Sequence, residues 1–339
     1  MTTIDERRPL GGASLGAASD GAASDGAASL GAASDGGAPG GPRADIAAYA
    51  LDPSRVRRAF DRAAGTYDAA AVLQAQVRDD LLSRLDLMAL APRVVLDAGA
   101  GTGHGARALI RRYPKSLVIA LDSSRGMLRA AGHQQPWLRR FSRVCADAVL
   151  LPLADGSVDL ILSNLMLQWC EPDPVFAEFR RVLAPRGLLS FTTLGPDTLR
   201  EFRSAWSAVD SRTHVNQFID MHDIGDALVR GGFAAPVLDV ERYTLTYPDV
   251  RRVAADLKAT GARNATMGRA RGLTGRAQFA ALEAAYESFR HEGRLPATYE
   301  VVFGSAWTPG GGGARRGDQD GQSVSLEEIK RQLRARRRP

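Results

Sequence analysis

Residues 94–105 read VVLDAGAGTGHG. A buried apolar strand runs into Asp97, and a glycine-rich turn follows that opens a helix. Glycines permit the tight turn and let backbone come close to a ligand. A strand, turn and helix of this kind restrict the chain to open α/β sheets. In those sheets ligands bind beyond the carboxyl ends of the strands, where the strand order reverses. The next apolar run ends in Asp122, an acid placed to accept both hydroxyls of a ribose.

The rest of the chain agrees with that restriction. Strands are expected over 93–97, 117–122, 143–146, 158–164 and 188–194, alternating with helices over 105–112, 125–131 and 174–183. Such alternation gives a parallel sheet with helices on both faces. Two helical stretches precede it. In the second, Val72, Leu73, Val77, Leu81, Leu82, Leu85 and Met88 form one apolar face. A helix over 223–231 and a strand over 237–246 come later. Helices near 250–259 and 276–290 then interrupt the path to a last strand over 299–306. They form an insertion suited to a substrate cap.

Residues 1–44 are expected to be a disordered leader. A five-residue unit, GAASD or GAASL, recurs there, with too few core-forming side chains to offset the entropy of ordering. The folded domain is expected over 45–308. Residues 309–339 are expected to be a flexible basic tail. Cys145 and Cys170 are the sole cysteines. Their spacing fits neither a metal site nor a disulfide framework, which favours a reducing, cytoplasmic location. No apolar run is long enough for a bilayer, and no secretory signal is recognised. The net charge of +6 comes almost wholly from arginine. We assign it to composition and expect neither a nucleic-acid nor a membrane partner. His214, Asp220, His222 and Asp223 follow no zinc spacing, so no metal is assigned.

A dinucleotide pattern competes for the glycine turn. From Gly99 the GxGxxG motif fails at His104. From Gly101 a looser form runs through Gly103 and Ala106, but it begins late after the strand's acid. The series Asp97, Gly99, Gly101, Gly103 instead resembles the first motif of class I S-adenosylmethionine-dependent methyltransferases. That resemblance implies a doubly wound, seven-stranded, mostly parallel, Rossmann-like sheet with a helical cap insertion. It also implies that the cofactor S-adenosylmethionine is held by Asp97, Gly99, Ala100, Gly101, Gly103, Asp122, Asp147, Ala148 and Asn164. Of these, Asp147 would meet the adenine amino group, and the strand ending at Asn164 would face the donor methyl.

A narrower resemblance lies outside those motifs. Residues 59–68 (AFDRAAGTYD), 163–170 (SNLMLQWC), 192–199 (TTLGPDTL), 214–225, 256–264 and 295–302 look like malonyl-acyl-carrier-protein O-methyltransferases. The match covers roughly 55–307. Ala100 stands where that family commonly has Cys. The resemblance implies methylation of the free carboxyl of malonyl-acyl-carrier-protein, or of malonyl coenzyme A, for biotin synthesis. Tyr67, Trp169, His222 and Arg263 are the candidates for positioning the substrate, and Arg271 is a further cation of the cap. Three other readings compete. They are a relative of the complex I assembly arginine hydroxylase, a methyltransferase for another small carboxylate such as trans-aconitate, and a non-catalytic S-adenosylmethionine-binding scaffold.

Overall fold

The computed structural model describes residues 3–4, 51–262 and 275–310. The expected leader and tail lie outside these residues, apart from 3–4 and 309–310, and so do Arg263 and Arg271. Three helices open the described chain: α1 (Pro53–Ala63), α2 (Tyr67–Ala70) and α3 (Val72–Arg84). Asp52 starts α1 by accepting from the amides of Ser54 and Arg55 at 3.0 and 3.2 Å, and Pro53 suits the first helical position. A cap of this type stabilises a helix by about 1 kcal/mol.

Strands and helices then alternate. β1 (Val94–Ala98) leads to α4 (His104–Arg112), β2 (Leu117–Asp122) to α5 (Arg125–His133), and β3 (Ser142–Cys145) to β4 (Val158–Ser163). Next come α6 (Pro172–Val182), β5 (Leu183–Leu194), α7 (Arg200–Ser207), α8 (Met221–Arg230) and β6 (Ala234–Tyr247). The series ends with α9 (Val250–Ala259), α10 (Arg276–Tyr286) and β7 (Leu295–Trp307). The sheet order is β3-β2-β1-β4-β5-β7-β6. The first five strands are parallel, while β7 runs antiparallel to both β5 and β6. The order reverses between β1 and β4, which places the crevice above their carboxyl ends. Thr3–Ile4, two residues of the expected leader, pair antiparallel with Thr246 and Leu245 at the outer edge of β6.

Neighbouring residues of β1 point to opposite sides, as a strand requires. Val95 joins one core with Val77 and Leu81 of α3 and Leu109 of α4, and Leu96 joins the other with Phe176 and Phe179 of α6. Each such buried side chain contributes roughly 1.5–3 kcal/mol. The insertion between β6 and β7 shares the first core. Val253 of α9 and Leu282 and Tyr286 of α10 are buried there with Tyr247 and Tyr299.

The last two strands extend past their expected bounds. Pro236 and Pro296 each lie near the start of the strand, where a missing amide is tolerated. A register shift between Ala234 and Val237 takes up the first of them. The expected helix to 290 stops at Tyr286 and tightens into a turn over Glu287–Phe289. Helix α7 was not expected, because the apolar face made by Phe202, Ala205 and Trp206 is short.

Gly304 of β7 pairs directly with Phe191 of β5. The Phe191 ring lies over it, so a Cβ at that position would fall inside the ring's contact distance. Gly304→Ala is expected to overpack the centre of the sheet and cost about 1–3 kcal/mol. Urea denaturation of the variant beside wild type checks this, and an unchanged midpoint contradicts it.

Candidate active site

The turn after β1 is fixed by backbone. The amides of Gly99 and Ala100 both donate to the carbonyl of Leu121, at 2.8 and 2.9 Å. Gly99 and Gly101 have φ of 75° and 53°, the left-handed region that favours glycine. A Cβ on Gly99 would collide with the Met166 side chain, whereas one on Gly101 would enter open space.

The turn aims the acid of β2. Asp122 accepts from the Gly101 amide at 2.9 Å and from the Ser124 amide at 2.8 Å, one bond to each oxygen. Each oxygen keeps a lone pair for a further donor. Burial raises the Asp122 carboxyl above its ordinary value, and the two amides work against that shift.

A cavity of about 1590 Å³ opens over these groups. Among the expected cofactor residues, Gly99, Gly101, Asp122, Asp147, Ala148 and Asn164 line it. Asp147 is exposed and accepts from the Val149 amide at 3.2 Å. Asn164 bridges two elements. Its Nδ2 donates to the Gln74 carbonyl at 3.0 Å, and its Oδ1 accepts from Thr192 at 2.9 Å. Leu165, which follows it, has φ of 49°, held by bonds from its amide to the carbonyl and hydroxyl of Thr192.

Three expected residues do not line the cavity. Ala100 is buried in the first core, and Gly103 caps α4. Asp97 turns under the start of α4, beside Gly105 and the Ala106 amide. It is 3% exposed, and its Oδ2 has no partner. Asp97 therefore acts on the turn and helix from beneath rather than from the cavity wall.

The helices α1 and α2 roof the cavity, and two carboxylates latch them down. Asp61 accepts from the Ser124 hydroxyl at 2.7 Å and the Gly126 amide at 2.8 Å, both at the start of α5. Asp68 accepts from Thr102 and Gln134, each at 2.6 Å, and its other neighbour is His104 at 3.3 Å. Between these latches, Phe60 and Tyr67 face the cavity. Phe60 meets Trp169 edge to face, with ring centroids 5.4 Å apart. Burial, with Asp122 and Asp68 nearby, raises the Tyr67 hydroxyl well above its ordinary value. It stays a neutral donor at any physiological pH.

Of the substrate candidates, the structure brings Tyr67 and Trp169 together. They border both the large cavity and a second, smaller one of about 50 Å³. Gln74, Gln168, Tyr247, Asp256 and Tyr299, with Thr260, complete the polar lining of the smaller one. None of these was singled out from the sequence, because they come from several separate elements. His222 stands elsewhere. It is exposed at the start of α8, where Asp220 takes its amide and ring nitrogen at 2.8 and 2.7 Å. It is a helix-entry residue and does not line the cavity.

The buried Asp97 generates a pH prediction. Desolvation, reinforced by Asp122, pushes its carboxyl from 3.8 up to about 7, against the Ala106 amide and the charge of Arg78. The folded state thus holds this proton more tightly than the unfolded chain. The stability it contributes is complete below about pH 4 and is lost as pH rises to about 7. The slope approaches 1.4 kcal/mol per pH unit inside that window. Asp97→Asn is expected to flatten it. Urea denaturation of both proteins at pH 5 and pH 7 checks this, and parallel profiles contradict it.

Residues 96–191 match a family described as a methyltransferase domain. The chain is 57% identical over 286 residues to the malonyl-[acyl-carrier protein] O-methyltransferase of Laribacter hongkongensis, covering 82% of this chain and 96% of that one. It is also 57% identical over 269 residues to the enzyme of the same name from Methylovorus sp., covering 77% and 91%. For the namesake from Gallionella capsiferriformans the identity is 50% over 289 residues, covering 83% and 98%. At this identity the match covers more than two thirds of both chains, and the chain belongs to the malonyl-[acyl-carrier protein] O-methyltransferase family.

Proposed function

We infer that this chain transfers a methyl group from S-adenosylmethionine to the free carboxyl of malonyl-acyl-carrier-protein, giving a methyl ester. The observation that carries this reading is the large roofed cavity, which Asp122 and the glycine turn line together with Tyr67 and Trp169. A drug-sized ligand occupies about 300–1,000 Å³. The cavity has room for a donor and an acceptor end to end.

The residues present fit the donor. Asp122, already aimed by two amides, accepts from the ribose hydroxyls. Asp147 and Ala148 would border the adenine, with Leu121 and Met127 as apolar walls of the cavity. Gly101 leaves open space where a side chain would intrude, so backbone would meet the amino-acid end there. Asn164 sets the end of β4 at the methyl. Bound S-adenosylmethionine supplies an electrophilic methyl on a sulfonium, and S-adenosylhomocysteine is released when a carboxylate oxygen takes it.

Little else is asked of the protein. A malonyl carboxylate is ionised at pH 7, so no general base is required. The chain's task is orientation, for which effective molarities reach about 10⁵ M or more. Tyr67 gives the carboxylate a hydrogen bond from a hydroxyl that does not ionise. Phe60 and Trp169 close the wall and exclude water from the acceptor. Among the described residues no helix is long and apolar enough to cross a membrane. Both cysteines are free, in keeping with the cytoplasmic location we propose.

Two outcomes are expected. Asp122→Ala should weaken S-adenosylmethionine binding by at least tenfold, since a hydrogen bond to a charged group is worth about 1.5–3 kcal/mol. Calorimetry on a variant with an unchanged melting transition measures this, and equal affinity contradicts the cofactor placement. With malonyl-acyl-carrier-protein, the product should release methanol in mild alkali. Succinyl-carrier should be poorer by about 10–200-fold, the usual worth of one methylene. Mass spectrometry that finds the methyl on nitrogen, or on no malonyl thioester, contradicts the assignment.

A further inference from the structure

The rim of the cavity is electrically lopsided. On one side lie α1 and α5, which pack together. Helix α1 carries Arg55, Arg57, Arg58 and Arg62 against the single acid Asp61, and α5 carries Arg125 and Arg129 with no acid. All six arginines are exposed. Arg55 is engaged by Asp52 at 2.8 Å. Among the described residues, the other five form no ion pair with a carboxylate. Asp61 offsets part of this charge, since Arg57 and Arg129 lie close enough to lower its carboxyl, but one acid leaves the face with a clear positive excess. Arg57 and Arg125 reach the cavity edge itself. On the other side the exposed lining residues include Glu171, Asp220 and Asp223.

We propose that the α1–α5 face is the docking surface for the acidic carrier protein, with its arm entering the cavity between α1 and the acidic rim. This rests on the proposed malonyl-carrier reaction and deepens it. The partner that fits a basic face beside the cavity mouth is a carrier with an acidic surface next to its arm. That surface is attracted to Arg57, Arg58, Arg62, Arg125 and Arg129 and repelled by Glu171, Asp220 and Asp223. Attraction on one rim and repulsion on the other fix the orientation as well as the place. The same helix α1 holds Phe60 over the cavity, so the carrier lands on the element that roofs the acceptor. Exposed charges of this kind govern encounter and salt dependence more than chemistry.

The test uses Arg58→Glu, Arg62→Glu and Arg129→Glu together, three residues that do not line the cavity. A matching triple Arg→Lys variant keeps the charge. Malonyl-acyl-carrier-protein is compared with malonyl-pantetheine, which has the arm but no carrier. We expect the triple glutamate variant to raise KM for the carrier substrate about tenfold or more at low salt, with kcat within about twofold. Turnover of malonyl-pantetheine should not change. The lysine variant should behave as wild type, and the wild-type rate with the carrier should fall with added salt more steeply than the variant's. An unchanged KM for the carrier overturns the proposal, as does an equal loss on both substrates. If wild type turns over neither substrate, the malonyl reading itself fails, independently of where a carrier docks.

Discussion

The structure depends on the bond between the Gly101 amide and Asp122. The parallel pairing of β1 with β2 sets the ends of the two strands side by side, Ala98 opposite Leu121. The chain after β1 must then turn sharply, and its next amides fall on the Leu121 carbonyl and the Asp122 carboxylate. One strand's turn and the next strand's acid are thereby locked as a unit. The roof fastens to the same unit, since Asp68 grips Thr102 in the turn and Asp61 grips Ser124 just past Asp122.

That arrangement also shows what could be read from the sequence. Gly99, Gly101 and Asp122 were legible because each stands at a strand end, where chain order alone dictates proximity. The β–α alternation was legible for the same reason, since buried parallel strands and amphipathic helices leave periodic patterns. The latches were not. Asp61 and Ser124 are 63 positions apart, and Asp68 and Thr102 are 34 apart. Nothing local marks an acid that will meet a helix start from elsewhere. The segment 59–68 resembles the family's opening, but likeness does not reveal that its two acids, seven residues apart, are the fasteners. The antiparallel course of β7 is equally silent in a single sequence, because an apolar strand reads the same in either direction.

Asp97 and His222 illustrate a different limit. Both residue types suit a binding site, and both lie in segments that border one. An acid at the end of a strand can point along the crevice or under the following helix, and Asp97 takes the second course. There the Ala106 amide at the start of α4 donates to it, while burial keeps the carboxyl protonated up to about pH 7. His222 follows an aspartate at a helix start, and the local bonds to Asp220 account for it. Local helix chemistry answered both residues before the cavity did.

The bend after β4 bears on how the proposed reaction can work without a catalytic base. Leu165 is held in the left-handed region, where a non-glycine residue carries strain of order 1–3 kcal/mol. Thr192 sustains it by taking the Leu165 amide on both its carbonyl and its hydroxyl, while that hydroxyl donates to Asn164. The backbone bend returns the chain across the cavity floor, so that Gln168 and Trp169 lie opposite Phe60 and Tyr67. Strain of this kind persists only where its surroundings overdetermine it, and here β5, the side chain of Asn164 and α3 through Gln74 all do so. A reaction between a preformed anion and an electrophilic methyl gains little from proton transfer and much from a fixed approach. The fold spends its strain on that approach, in the bend at Leu165.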